Sequence, residues 1–268
     1  MASRPPSGQV SCDSARAQTY NTHELKSITY RHMTNFPKSK APHVIAIEVF
    51  VILLLLLLTR ILFDQISWRY AGPLNLAFIL AVITIYFRKR GIGFEAIGLT
   101  SISWPRGAAW FLPQTVLAFF LIGMTGAGVA LTGEAFNLNI FTAEQPDPQL
   151  RWGNLYQNTP LYLSWLAILW FAGPAEELFF RGYLISRFRE IFSKSIFGLS
   201  LSVCLPAIIF GLGHVYYQGW RGFFVTGAIG LTLGILFLLY RRNIWPLMVA
   251  HAAFNSMVFT ALYTGAEF

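Results

Sequence analysis

The run VIAIEVFVILLLLLLTRILF, Val44 to Phe63, decides the class of the fold. Only Glu48, Thr59 and Arg60 interrupt its apolar character, and a helix needs about 20 apolar residues to cross the hydrocarbon core of a bilayer. Six further blocks follow: Tyr70 to Phe87, Gly107 to Leu131, Leu161 to Phe188, Ile196 to Leu212, Phe223 to Tyr240 and Ile244 to Tyr263. They are continuous runs rather than short alternations, which excludes a transmembrane barrel. Unpaired backbone groups find no water in lipid, so the runs are expected as helices. The expected fold is all-α: one polytopic transmembrane bundle over residues 44–268, with about seven helices around a polar intramembrane cavity.

Composition agrees. Of 268 residues, 55% are hydrophobic and 12% charged, against about 25% charged in an average soluble domain. That excludes a disordered chain and a soluble enzyme. Two cysteines, Cys12 and Cys204, exclude a disulfide-stapled scaffold. Residues 1–43 are polar and lack the apolar core of a signal peptide. They read as a disordered cytoplasmic tail, or as a stretch ahead of a true start at Met33.

The net charge of +8 is distributed as topology requires. With seven crossings, sixteen Lys and Arg fall on the side of the amino terminus, and only Arg60, Arg69, Arg151 and Arg221 on the other. The positive-inside rule then places the amino terminus in the cytoplasm of a multi-pass protein of the cell (inner) membrane. No basic stripe with interleaved aromatics suggests nucleic acid as a partner. The expected partners are the lipid bilayer and a membrane-anchored protein or peptide.

Ionisable groups inside membrane helices are costly and point to function. Three clusters qualify: Glu176, Glu177 and Arg181 in the fourth span, Phe210 and His214 in the fifth, His251 and Asn255 in the seventh. Residues four apart share a helix face, so Glu177 pairs with Arg181, and Glu176 is left without a local cation. His251 and Asn255 share a face and offer an imidazole with an amide. A carboxylate base, two imidazoles and an amide donor are the equipment of water-mediated hydrolysis. Gly173, Pro174, Pro206, Gly211 and Gly213 are expected to loosen the helices beside the motifs. Gly227, Gly230 and Gly234 read as a packing stripe, and Glu48 as an interfacial residue.

Glu-Glu-x-x-x-Arg, Phe-x-x-x-His and His-x-x-x-Asn, in this order on successive membrane helices, resemble the CPBP family, that of CAAX-processing type II prenyl endopeptidases and bacteriocin-processing (Abi) proteins. The motifs span residues 175–255, with Phe-Arg-Gly-Tyr-Leu after the glutamates and Trp-Pro-Leu before His251. Upstream, Phe94 to Thr100 resembles a short Ile-Gly-Leu element of that family, and the resemblance covers about two-thirds of the chain. It implies an intramembrane endopeptidase cutting a peptide bond near the terminus of a membrane-associated substrate. Glu176 is then the base acting on water with His214, His251 and Asn255 stabilise the oxyanion, and Glu177, Arg181 and Phe210 support the site. The expected mechanism is of the glutamate type, without metal or other cofactor. The alternative is zinc held by Glu176, His214 and His251. The competing reading of the whole chain is a non-hydrolytic membrane protein, an immunity-type binder of a bacteriocin or a small transporter.

Overall fold

The computed structural model describes residues 41–100, 106–143, 148–192 and 195–266. Apart from its last three residues, the expected tail 1–43 lies outside the described residues. The long elements are α1 (Pro42–Ser67), α2 (Ala71–Arg90), α3 (Arg106–Ala135), α4 (Thr159–Glu177), α5 (Ser186–Ile191), α6 (Ile196–Leu239) and α7 (Trp245–Thr264). A π-helical stretch, Leu178–Ile185, joins α4 to α5. Short turns at Phe94–Ile97, Asn139–Thr142 and Pro148–Trp152 complete the described structure, which holds no strand.

Local chemistry sets the ends. Ser195 accepts a hydrogen bond from the Gly198 N–H at the start of α6, and Asn158 caps α4 through the Leu161 N–H. Gly91, at φ 63°, ends α2 in the left-handed conformation. Arg88, Lys89 and Arg90 stand in the last turn of α2, where cations complement the helix dipole.

Among the described residues six helices are long and apolar enough to cross a membrane, and one of them supplies two crossings. At 1.5 Å per residue, the 44 residues of α6 would run about 66 Å if straight, twice the hydrocarbon thickness. Gly219 breaks the helix at φ 62°, ψ −167°. A Cβ on Gly211 would lie 2.7 Å from the Phe223 carbonyl oxygen, one on Gly230 3.3 Å from the Ala207 Cα, and one on Gly234 2.7 Å from a Val203 methyl. Partners rise along one half as they fall along the other, so residues 196–218 and 220–239 form an antiparallel hairpin. The expected fifth and sixth spans are these halves, but the fifth continues past Leu212 to the break. The glycine stripe is the seam of the hairpin. The expected loosening at Pro206, Gly211 and Gly213 is absent, because all three lie in continuous helix; the irregularities fall at Gly219 and at 178–185.

Contacts sort the helix ends into two rims. At one, Arg187 pairs with Glu48 at 2.8 Å, Arg242 donates to the Ala96 carbonyl and to Ser186, and the Ile244 N–H donates to the Gly98 carbonyl. At the other, Arg151 donates to the Trp68 carbonyl, Arg221 pairs with Glu134, and the Gln157 N–H donates to the Tyr263 carbonyl. The bundle between them buries Ile79, Phe87, Phe179, Leu233 and Phe237. Its outer surface stays apolar: Ile47, Phe50, Leu57 and Ile61 of α1 are each more than half exposed. Such a surface suits lipid and not water. The protein is a multi-pass membrane protein.

Candidate active site

The glutamate pair sits where α4 passes into π-helix, a rare conformation that recurs at functional sites. Two glycines bring neighbours against this point. A Cβ on Gly173 would stand 3.1 Å from the Ala252 nitrogen, so α7 meets α4 backbone to backbone. A Cβ on Gly182 would stand 2.7 Å from the Ile97 carbonyl oxygen. The Phe94–Thr100 element thus braces the π-helical stretch, which only glycine permits at that approach.

Glu177 is 0% exposed and Arg181 1%. Their side chains pair at 2.8 Å across one turn, as the spacing indicates. Arg181 also donates to the Gly230 carbonyl at 3.4 Å and lies 4.7 Å above the Phe210 ring. The close packing of Gly230 on Ala207 and Phe210 makes that carbonyl reachable.

His251 joins both glutamates. Its Nδ1 is 2.7 Å from Glu177 Oε1, and its Nε2 is 3.5 Å from Glu176 Oε2. Since Glu177 serves Arg181 as a carboxylate, Nδ1 carries a proton and donates to it. Glu176 keeps 21% of its side chain exposed and is the accessible member.

Phe210 lies between the histidines, with ring centroids 4.6 Å from His214 and 6.3 Å from His251. His214 Nδ1 is 2.8 Å from the Phe210 carbonyl oxygen. A carbonyl only accepts, so Nδ1 is the donor and Nε2 of the neutral ring is left as an acceptor. Asn255, one turn beyond His251, is half-buried, and its side chain makes no hydrogen bond among the described residues.

The structure therefore brings Glu176, Glu177, Arg181 and His251 into one network, with Phe210 against it. The imidazole that touches Glu176 is His251 and not His214, whose one hydrogen-bond partner among the described residues is the Phe210 carbonyl. Glu176 and His251 give two zinc-ligand types in reach of each other, but among the described residues no group of three or more His, Cys, Asp or Glu is arranged to hold a metal ion, and a catalytic zinc takes three protein ligands.

A second buried ionic group was not foreseen. Glu48 pairs with Arg187 and accepts from the Tyr86 and Tyr183 hydroxyls, while Arg187 also pairs with Glu190 at 3.1 Å. A lone Glu near a span's start gives no sign of partners on two other helices. Only the matching positive residue at 187 is visible in the sequence, and nothing there links the two.

No curated protein and no solved structure matches the chain. Residues 158–257 match the family model described as type II CAAX prenyl endopeptidase, Rce1-like. That segment holds all three motifs together with the hairpin and the α4–α7 contact that assemble them. Over that segment the chain is similar to the Rce1-like type II CAAX prenyl endopeptidases.

Proposed function

We propose that the protein hydrolyses a peptide bond near the terminus of a membrane-anchored protein or peptide by a metal-free mechanism with Glu176 as general base. The observation that carries this reading is the imidazole of His251, fixed by Glu177 and set against Glu176. A carboxyl group in that position has an imidazole beside it and keeps part of its side chain accessible. Glu176 takes a proton from water as the water oxygen attacks the scissile carbonyl carbon. The acceptor Nε2 of His214 orients the same water. The Asn255 amide donates to the oxyanion, leaving His251 to hold Glu176 rather than to share the oxyanion. The tetrahedral intermediate collapses as the C–N bond breaks, and Glu176 returns its proton to the leaving amine. The two-ligand geometry supports the metal-free form over zinc on Glu176, His214 and His251.

The orientation we propose follows the basic rim. Arg88, Lys89, Arg90, Arg187, Arg189, Arg241 and Arg242 belong to the ends that share the rim of Glu48, so this rim faces the cytoplasm of the cell membrane.

The test is cleavage by purified protein. Glu176→Gln keeps the size and a hydrogen-bonding group but cannot accept the proton, so turnover is expected to fall by about two to four orders of magnitude with folding unchanged. Wild-type protein stripped by a strong chelator is expected to remain active. Activity lost with the metal and restored by zinc overturns the glutamate mechanism.

A further inference from the structure

A buried phenol normally finds a hydrogen-bond partner, and most inward tyrosines of the bundle have one. The Tyr86 and Tyr183 hydroxyls donate to Glu48, that of Tyr240 donates to the Gln114 carbonyl, and that of Tyr162 is shared with Thr260. Tyr217 is half-buried, yet its hydroxyl makes no hydrogen bond among the described residues. Tyr70 lacks one too, but it lines an apolar groove between α2 and α4. Tyr217 stands beside the candidate site.

Its ring is clamped there. The centroid lies 5.5 Å from that of His214 and 6.1 Å from that of Trp152, and the Arg151 guanidinium lies over the ring at 5.2 Å. Arg151 is itself buried and donates to the Trp68 carbonyl, so the clamp is fixed to the rim. The first half of α6 and α7 run the same way, and their levels match. Phe210 faces His251, while Trp152 bridges Tyr217 to Phe259, whose centroid is 5.0 Å from its own. His214 is one turn before Tyr217 and Asn255 one turn before Phe259. Tyr217 and Asn255 therefore reach the level of His214 from two different helices. The Glu176 carboxylate is within electrostatic reach of the phenol.

The chemistry above leaves one role unfilled. His251 meets a carboxylate at each ring nitrogen, which leaves Asn255 alone on the oxyanion. Sites that stabilise a tetrahedral intermediate aim several preorganised donors at it, and tyrosine is one of the side chains so used.

We propose that the Tyr217 hydroxyl is a second oxyanion donor, acting with Asn255 on the carbonyl that water attacks. Tyr217 has this role only under the hydrolytic reading. The phenol gives a hydrogen bond and keeps its proton. Its contact to the carbonyl oxygen strengthens as negative charge collects there and relaxes when the C–N bond breaks. The proton of the attacking water goes to Glu176 throughout. Because the clamp holds the ring before substrate arrives, no reorganisation is needed as the charge develops.

The probes are N-palmitoylated decapeptides of randomised sequence, offered to full-length protein in phosphatidylcholine nanodiscs, with products identified by mass spectrometry. The sequence cut fastest serves for kinetics and is remade as a phosphinate, a tetrahedral anion in place of the scissile amide. Tyr217→Phe keeps the ring and its contacts with His214, Trp152 and Arg151, and removes the hydroxyl alone. Its kcat is expected to fall about a hundredfold, with KM and unfolding temperature unchanged. Phosphinate affinity should weaken by a similar factor. The intact peptide should bind Glu176→Gln and Glu176→Gln/Tyr217→Phe proteins equally, since the donor serves the transition state and not the ground state. An unchanged kcat, a loss confined to KM, or a phosphinate affinity that does not move overturns the proposal and leaves hydrolysis standing. A fall in unfolding temperature alongside the lost turnover assigns the hydroxyl to packing and overturns it as well. If wild-type protein cuts none of the peptides, the hydrolytic reading itself falls, and this role of Tyr217 with it.

Discussion

His251 meets a carboxylate at each ring nitrogen, and that double hold separates two adjacent glutamates into different tasks. Glu177 is spent on structure, since Arg181 and His251 both converge on its Oε1. Glu177→Gln leaves Arg181 a buried charge without a counter-ion, a defect that costs about 3–5 kcal/mol. Its membrane yield and unfolding temperature should fall together with turnover. Asn255→Ala should behave in the opposite way. The Asn255 side chain has no hydrogen bond to lose among the described residues, so the variant should keep its unfolding temperature while turnover drops about a hundredfold or more, the usual loss for an oxyanion donor. Equal loss of stability in the two variants would contradict this division. The Glu177–Arg181 pair was legible because both residues share one helix, where spacing fixes the face. The hold on His251 was not, because it depends on the register of α7 against α4, set by a backbone contact at Gly173.

Between elements, glycine fixes the distances. Gly211 and Gly227 face each other across the α6 hairpin, yet a methyl group would meet different surroundings. On Gly211 it would stand 2.7 Å from the Phe223 carbonyl oxygen, whereas on Gly227 its nearest neighbour would be 3.7 Å away. Gly211→Ala should therefore force the halves apart at a cost of about 1–3 kcal/mol. Gly227→Ala should be close to neutral, and thermal unfolding in detergent separates the two. Apolar blocks long enough to span lipid were readable directly, since length and hydropathy are local properties. The π-helical stretch was not, for nothing in LFFRGYLI distinguishes one backbone hydrogen-bond pattern from another. The same limit hid the role of Gly219: among the many glycines of the chain, composition does not mark which one takes a positive φ and reverses the direction.

For the whole molecule, seven crossings put the start of α1 and the end of α7 on opposite rims, with α2 closing on the rim of Glu48 and α7 on that of Arg151. Reporters fused after Arg90 and after Phe268 should report opposite sides of the membrane, the first cytoplasmic; reporters on the same side would refute the count. The reversal at Gly219 also has a mechanical consequence. In force spectroscopy, with the carboxyl terminus drawn out of a bilayer, α7 should leave first. The two halves of α6, locked glycine to glycine along their seam, should then release in a single rupture of about 150 Å of extended chain, where two independent helices would give two shorter ones.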